Sequence, residues 1–311
     1  MAKILITESV HPIGPELLTA AGHTVVYADR DMDIIRREIV DADAVFVRII
    51  ELPGSLLATA KNLKIVSKHG VGYDNIDLDY CKSHGVAVTI TPNANSLSVA
   101  EHAFTLMLTL AKNIIPVSNE YRTVGFAAKN HAPGIEMTGK TLGLIGMGRI
   151  GKHILHMCRD GLDMHVIVYD PYISEVLEGV EKVDDLSELL RRADVVTLHC
   201  LLTDETRKLI DRERLALMKP TALLINCARG PIVDEAALIE ALENGRLAGA
   251  GLDVTDPEPV APDSPLFKLP NVIVTPHYAP TTVESATRVS KIAAENINAV
   301  LAGQEPVGRI V

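Results

Sequence analysis

The sequence predicts an α/β protein with two doubly wound parallel sheets. Three observations support this class: short β-branched runs recur along the chain, helical stretches separate them, and the whole series occurs twice. Strands that alternate with helices form βαβ units, in which the strands are parallel. With 311 residues, 47% of them apolar, the chain is long enough for two domains that each bury a core.

The first series predicts a small sheet and the second a larger one. The first strands are expected at residues 3–7, 24–28, 44–48, 64–67 and 87–91. The later strands are expected at residues 141–145, 165–169, 195–199, 222–226, 249–252 and 272–275. Residues 98–113 are apolar on most faces and predict a long, largely buried helix between the series. A last helix is expected at residues 283–302, because Gly303 and Pro306 then stop it.

Charge and composition argue against several classes of protein. The net charge is −10 and no block of Lys or Arg occurs, so we expect no nucleic-acid or anionic-membrane partner. The four cysteines form no CxxC pair, which predicts reduced, buried thiols and no metal site. The N-terminus runs directly into a strand, and no apolar run approaches the ~20 residues of a membrane-spanning helix. We therefore expect a cytoplasmic protein.

A glycine motif, Gly146-x-Gly148-x-x-Gly151, opens the second sheet. Glycines at this spacing are a weak signal alone, but here a predicted strand precedes them and a helix-compatible run, 150–158, follows. In a dinucleotide-binding turn the first glycine makes the tight turn, the second lets backbone approach a pyrophosphate, and the third lets the helix pack on the strand. The pyrophosphate would lie on unpaired amides at the helix N-terminus.

Asp170 ends the next strand, about 20 residues after the glycines, where such a fold places an acid that accepts hydrogen bonds from the adenosine ribose. Its charge would repel a 2′-phosphate, and Pro171 and Tyr172 offer no positive charge to offset it. The motif therefore predicts NAD as cofactor rather than NADP. The alternative is a structural tight turn beside a surface aspartate.

Polar residues in unusual settings follow three later strands, in the segments 226–230, 253–259 and 275–278. Because ligands of doubly wound sheets bind at the carboxyl ends of strands, all three segments should face the cofactor. Reduction of a 2-keto acid needs a hydride donor, a proton donor and a cation for the carboxylate. His277 can donate the proton, an ionised Glu258 would favour its protonated form, and the planar Arg229 guanidinium matches a carboxylate.

Each of these three residues has a simpler explanation on its own. Arg229 could form a surface ion pair, Glu258 could be a solvated residue between prolines, and His277 could cap a turn. Their occurrence together on successive strand ends of one nucleotide-binding sheet favours a catalytic set.

The chain resembles the D-isomer-specific 2-hydroxyacid dehydrogenase family, which includes phosphoglycerate dehydrogenase and glyoxylate/hydroxypyruvate reductase, over essentially its whole length. The matching stretches are HGVGYDNID (69–77), SVAEH (98–102), GLIGMGRIG (143–151), VYDPY (168–172), INCARGPIVDE (225–235), GLDVTDPEP (251–259) and VTPH (274–277). The resemblance implies a flavodoxin-like substrate domain, residues 1–98 together with 283–311, and an NAD-binding Rossmann domain, residues 99–282, with the active site between them. It also implies a homodimer formed through the cofactor domains by the helix 98–113 and the arm 114–137.

The resemblance assigns roles to individual residues as well. Arg229 would bind substrate, and Glu258 and His277 would form the acid/base pair. The loop Gly70-Val71-Gly72 would present backbone amides to the substrate carboxylate, and Arg48 would reach toward it, unless Arg48 forms a salt bridge instead. The candidate cofactor contacts are Gly146, Gly148, Arg149, Ile150, Gly151, Asp170, Cys200, Cys227, Ala228, Asp253 and Val99. Asp253 and Ala228 would line the nicotinamide site.

Two departures from the family's usual sequence leave the substrate open. Cys200-Leu201-Leu202 stands where Thr-Pro-Leu is common, which removes a hydroxyl near the cofactor. The run His277-Tyr278-Ala279-Pro280 lacks a glycine that is frequent there, and its larger, stiffer residues could reshape the pocket. Glyoxylate, hydroxypyruvate, 3-phosphoglycerate, lactate and bulkier acids all remain candidates.

Other functions of the same fold are weaker alternatives. Formate dehydrogenases typically pair the catalytic His with Gln, and Glu258 argues against them. NAD-sensing corepressors of the C-terminal-binding-protein type carry additional partner-binding sequence, whereas Val311 follows soon after the last predicted helix. For the same reason no appended regulatory domain is expected. A nucleotide-binding domain without catalysis is disfavoured, because Arg229, Glu258 and His277 are all present.

Overall fold

Two parallel sheets organise the chain in a computed structural model that describes residues 1–311. The chain divides into unit 1, Met1–Asn95 with Pro280–Val311, and unit 2, Ser96–Ala279. Helices cover both faces of each sheet, and all strand pairs are parallel. The predicted α/β class with two parallel sheets is confirmed.

Unit 1 contains a five-stranded sheet of order β2-β1-β3-β4-β5. Its strands are β1 Lys3–Ile6, β2 Thr24–Tyr27, β3 Ala44–Val47, β4 Ile65–Lys68 and β5 Ala87–Thr89. Its helices are α1 Ile13–Ala20, α2 Met32–Glu38, α3 Gly54–Leu57, α4 Leu78–Ser83 and α11 Val283–Leu301. In β3, Val45 and Val47 pack into one core, while Ala44 and Phe46 pack into the other. A strand buried on both faces is apolar throughout, which explains the uninterrupted apolar run in the sequence.

Unit 2 contains a seven-stranded sheet of order β12-β11-β10-β9-β6-β7-β8. Its strands are β6 Thr141–Ile145, β7 His165–Tyr169, β8 Glu181–Lys182, β9 Val195–Leu198, β10 Leu223–Asn226, β11 Gly249–Leu252 and β12 Val272–Val274. Its helices are α5 Ser96–Ala111, α6 Ile114–Val124, α7 Arg149–Leu162, α8 Leu186–Arg192, α9 Arg212–Leu215 and α10 Glu235–Glu243. The chain order reverses beside β6, and a crevice for a ligand forms at the carboxyl ends of the strands at such a point.

Most predicted elements differ from the observed ones by one or two residues at their ends, and one strand is additional. The edge strand β8 was not predicted, because two residues are too few to show a period. Helix α5 begins at Ser96, two residues before the predicted start, and eight of its 16 residues are buried, in line with the long, largely buried helix that was predicted. Helix α6, in the predicted dimer arm, has no buried residue. No helix combines the length and the apolar character that crossing a membrane requires.

Candidate active site

The glycine motif forms the turn between β6 and α7. Gly146 has a φ of +91°, and its amide donates to the carbonyl of Tyr169 at 3.0 Å. A Cβ there would lie 2.8 Å from the carbonyl carbon of His199 and 2.8 Å from the amide nitrogen of Cys200. Only glycine therefore allows β9 to pass so close to this turn.

The other two glycines open the N-terminus of α7. Gly148 precedes the helix and is exposed, and no atom lies within 4 Å of where its Cβ would be. A Cβ at Gly151 would lie only 2.3 Å from the carbonyl oxygen of Gly146, so the helix packs directly on the turn. Arg149 and Ile150 form the first turn of α7. This cradle, with helix amides at its floor and no side chain in the way, fits a dinucleotide pyrophosphate.

Asp170 follows β7 and is bound to the same turn. Its Oδ2 accepts from the amide of Met147 at 2.9 Å, and its Oδ1 accepts from the amide of Tyr172 at 3.0 Å. Each carboxylate oxygen can accept a further hydrogen bond. The carboxylate is thus fixed beside the glycine turn with acceptor capacity left for a ribose hydroxyl.

Two cysteines follow the neighbouring strands β9 and β10. Burial raises the pKa of the Cys200 thiol to about 11, and burial raises the pKa of Cys227 well above its usual value. Both side chains are therefore neutral thiols at neutral pH. Val99, in α5, is 5% exposed and packs within the core on that face of the sheet. These three contacts with a cofactor remain predictions.

The side chain of Asn226 braces the loop that carries Arg229. Its Oδ1 accepts from the amide of Ala228 at 3.0 Å, and its Nδ2 donates to the carbonyl of Arg229 at 2.9 Å. The Arg229 guanidinium donates to the carbonyl of Ala228 at 2.8 Å. The next residue, Gly230, lies against the chain after β11, since its Cβ would be 1.9 Å from the carbonyl oxygen of Thr255. The loops after β10 and β11 are therefore in direct backbone contact.

The side chains of His277 and Glu258, predicted to form a pair, are in contact. His277 Nδ1 lies 2.6 Å from Glu258 Oε1, and their side chains are 29% and 35% exposed. With Nδ1 hydrogen-bonded to a carboxylate, Nε2 is the nitrogen that can face a substrate, an assignment inferred from this bond. The pair can therefore move a proton at Nε2.

Asp253, only 1% exposed, holds the chain on either side of His277. Its Oδ1 accepts from the hydroxyl of Thr275 at 2.5 Å and from the amide of Tyr278 at 2.7 Å, and its Oδ2 accepts from the amide of Ala279 at 2.9 Å. The amide of His277 donates to the Asp253 carbonyl at 2.8 Å. His277 adopts a φ of +53°, which few residues other than glycine tolerate. These bonds fix that backbone conformation and aim the imidazole.

His102 in α5 belongs to this network, although no role was predicted for it. Its Nε2 lies 3.0 Å from the hydroxyl of Thr275 and 3.5 Å from Oδ1 of Asp253. Its ring meets the ring of Tyr278 edge to face, with centroids 6.0 Å apart. A histidine in a largely apolar helix is the signal that could have identified His102. Thr275 lies in the segment 275–278 that the sequence singled out, but its partner in α5 is distant in sequence.

Apart from Arg229, the residues predicted to bind substrate are in unit 1. The amides of Arg48 and Ile49, which follow β3, donate to Glu8 Oε2 at 2.8 and 2.7 Å, and this carboxylate fixes the backbone that carries the Arg48 side chain. Gly70 has a φ of +136°, and its amide donates to the carbonyl of Lys68 at 3.0 Å. Of the three amides predicted for the substrate carboxylate, the one of Gly70 is therefore already engaged.

Comparison with known proteins identifies the family. Residues 104–279, more than half of the chain, match the model described as "D-isomer specific 2-hydroxyacid dehydrogenase, NAD binding domain". The chain is 42% identical, over 98% of its length, to a D-3-phosphoglycerate dehydrogenase of Methanocaldococcus jannaschii, and it spans 58% of that relative.

Two solved structures resemble the whole chain. A D-lactate dehydrogenase of Aquifex aeolicus, complexed with NAD and lactic acid, is 33% identical with a TM-score of 0.89 over 96% of each chain. An NADPH-dependent glyoxylate/hydroxypyruvate reductase of Sinorhizobium meliloti, with NADP and malonate, is 29% identical with a TM-score of 0.90 over 100% of this chain and 97% of that one. The sequence resemblance is thereby confirmed. The chain belongs to the D-isomer specific 2-hydroxyacid dehydrogenase family, and its unit 2 is an NAD-binding domain.

Proposed function

We propose that the protein is an NAD-dependent dehydrogenase of a small D-2-hydroxy acid, or of the matching 2-keto acid, of the glyoxylate, hydroxypyruvate or 3-phosphoglycerate type. The observation that carries this proposal is the contact of 2.6 Å between His277 Nδ1 and Glu258 Oε1 beside the strand ends of the NAD-binding sheet. We take residues 1–98 with 283–311 as the substrate domain and 99–282 as the cofactor domain. A cytoplasmic location remains a prediction.

The acid/base work falls to His277. NAD(H), when bound, supplies or accepts the hydride. In the reductive direction His277 Nε2 donates a proton to the oxygen of the keto group, and Glu258 stabilises the charged imidazole through Nδ1. In the oxidative direction the neutral imidazole removes the proton from the hydroxyl. Asp253 keeps the ring in place by accepting hydrogen bonds from the amides of His277 and Tyr278.

Substrate binding is assigned to cations and backbone amides. Arg229 would hold the carboxylate with its planar guanidinium and polarise the keto group. In unit 1, Arg48 and the amides of Val71 and Gly72 are proposed to bind the substrate carboxylate. The Gly70 amide donates to the carbonyl of Lys68 and is not available to a substrate. The role proposed for Gly70 is to form the turn that presents the amides of Val71 and Gly72.

NAD is proposed as the preferred cofactor over NADP. Asp170 is held beside the glycine turn by two amides, so its charge cannot easily move away from a ribose. A 2′-phosphate at that place would meet a fixed carboxylate, which is unfavourable by simple Coulomb repulsion.

A homodimer through the cofactor domains is part of the proposal. Several large apolar side chains around α6 are exposed: Ile114 54%, Ile115 44%, Tyr121 59%, Val124 46% and Phe126 73%. A cluster of exposed apolar side chains on one short arm is typical of a protein interface. Light scattering after gel filtration should give twice the chain mass for the parent and the chain mass for Phe126→Asp. A monomeric parent would contradict the dimer.

A panel of 2-keto acids, each offered with NADH and with NADPH, tests the activity. We expect oxidation of NADH with at least one acid, at a higher kcat/KM than oxidation of NADPH. Loss of absorbance at the nicotinamide band is the measurement, and a His277→Asn preparation controls for contaminating dehydrogenases. No turnover with any acid, by protein that binds NADH, would overturn the enzymatic proposal.

A further inference from the structure

A hydrogen bond joins two loops at the carboxyl ends of the strands in the NAD-binding sheet. The phenol of Tyr172 donates to Glu205 Oε2 at 2.6 Å. Tyr172 lies in the loop after β7 and Glu205 in the loop after β9, and β6 lies between these strands in the sheet. The bond therefore links the loops on either side of the glycine turn.

Tyr172 contacts two carboxylates at once. Its side chain donates to Glu205, while its backbone amide donates to Oδ1 of Asp170 at 3.0 Å. The hydrogen bond to Glu205 and the charges of Glu205 and Asp170 raise the pKa of the Tyr172 phenol, so the phenol stays protonated and remains a donor. One residue thus links the two carboxylates.

The fold of this family does not itself select the cofactor. The D-lactate dehydrogenase of Aquifex aeolicus was solved with NAD, and the reductase of Sinorhizobium meliloti with NADP, yet both resemble this chain at TM-scores of 0.89 and 0.90. The two cofactors differ only in a phosphate of about −2 charge on the adenosine ribose. Residues around that ribose, including charged ones, are therefore where the selection can arise.

We propose that Glu205 is a second specificity-determining carboxylate for the cofactor, and that Tyr172 is the positioning residue that holds it toward the adenosine ribose. This inference rests on the proposed NAD-dependent function and deepens it. A glutamate in a surface loop is ordinarily free to turn into solvent, where its charge is screened. The hydrogen bond from the Tyr172 phenol, itself 80% exposed, favours the orientation in which the charge of Glu205 adds to that of Asp170 against a 2′-phosphate.

Binding measurements on the full chain test the proposal without relying on turnover. Fluorescence titrations with NADH and NADPH would compare the parent with E205Q and Y172F. E205Q should bind NADPH about five- to tenfold more tightly than the parent, because one like charge is removed, while NADH affinity changes little. Y172F should shift the ratio in the same direction but less, since the charge remains and is only released. In E205Q and Y172F the affinity for the competitor 2′,5′-ADP should rise as the affinity for NADPH does. The affinity for the competitor 5′-ADP should change as little as the affinity for NADH.

Glu243→Gln is the matched control. Glu243 is an exposed carboxylate at the end of α10, which leads into the start of β11 and so lies at the opposite edge of the sheet. An electrostatic effect should also shrink as ionic strength rises. A merely structural effect of the substitution would lower the affinities for NADPH and NADH together and leave the ratio of the two affinities unchanged.

The two proposals fail separately. A parent protein that does not bind NADH would remove the proposed function and leave nothing for Glu205 to select. If the parent binds NADH but E205Q changes the ratio of NADPH to NADH affinity no more than Glu243→Gln does, the role of Glu205 is wrong. If E205Q shifts the ratio and Y172F does not, Glu205 keeps its role and the positioning role of Tyr172 is wrong.

Discussion

The glycine turn, residues 146–151, and the His277 loop, residues 275–279, both follow strands of the same sheet at its carboxyl edge. Each contains a residue with positive φ, yet the two backbones are held in different ways. Gly146 and Gly151 fix their turn because no side chain keeps β9 and α7 away. The His277 loop is fixed by one carboxylate, Asp253, which binds the chain beyond the histidine. Glycine suits a place that a ligand's phosphates approach. A side chain that must be aimed needs a non-glycine residue and hydrogen bonds to support its backbone.

His277→Asn should show most clearly that the two regions have separate roles, the His277 loop in catalysis and the glycine turn in NADH binding. Asparagine tolerates positive φ, so the loop should keep its shape while the imidazole is lost. We expect kcat to fall about 10²- to 10⁴-fold, and NADH affinity, set by the glycine turn, to remain near that of the parent. Steady-state rates and NADH titrations measure the two effects. A parallel loss of NADH binding would show that the loops are not independent.

Gly151→Ala should damage the glycine turn and leave the His277 loop intact. The added Cβ would lie 2.3 Å from a backbone oxygen, so helix and turn must separate. We expect NADH affinity to fall at least about tenfold and stability to fall by about 1–3 kcal/mol. Gly161→Ala, near the end of the same helix, has nothing within 4 Å of the added Cβ and should lose neither. Equal effects of the two substitutions would refute the steric explanation.

Asp253→Asn should loosen the His277 loop and leave the glycine turn intact. An amide nitrogen cannot accept a hydrogen bond, so the hydroxyl of Thr275 or one of the amides of Tyr278 and Ala279 loses its partner. An unsatisfied buried donor costs about 1–3 kcal/mol, which we expect as lower thermal stability together with roughly tenfold lower kcat. Asp263→Asn, an exposed carboxylate, is the control. Unchanged kcat would mean that Asp253 does not position the histidine.

Acid should weaken the support of the glycine turn. Burial lowers the pKa of His199, whose backbone lies against Gly146, from 6.5 to about 4. The unfolded chain then binds more protons between pH 6.5 and 4, so the stability that the neutral ring contributes is present above pH 6.5 and is lost as pH falls through this window. The loss from this residue is at most about 3 kcal/mol.

Chemical denaturation at a series of pH values measures this slope, and His199→Asn should flatten it. His69 in unit 1, with a pKa lowered to about 3 by burial, should contribute a similar slope that this variant leaves in place. A slope that His199→Asn does not change would show that the ring is not buried in the neutral form.

Much of the fold could be predicted, because a parallel strand covered on both faces is apolar throughout and stands out in the sequence. Strands β6, β7 and β11 begin and end where the pattern places them. The two-residue strand β8 could not be found, since its place follows from pairing with β7 and not from its own residues. The bounds of α5 moved toward the N-terminus because Ser96, although polar, is buried.

The parts of the candidate site that could be predicted are reactive side chains that directly follow a strand, such as His277. His277 and Glu258 are 19 residues apart and were paired from their chemistry alone. The contacts of His102 with Thr275 and Asp253 were missed, because 173 residues separate His102 from Thr275 and no local pattern links them. The contacts of His102 depend on how α5 packs against the sheet, and no short stretch of sequence predicts that packing.

The close approach of Gly230 to Thr255 also has a consequence for motion. Because backbone meets backbone there, the loop that carries Arg229 and the loop that leads to Glu258 cannot slide past one another by a simple change of side-chain rotamer. Thermal fluctuations of the two loops should therefore be correlated. The backbone that carries Arg229 and the backbone that leads to Glu258 should accordingly move together.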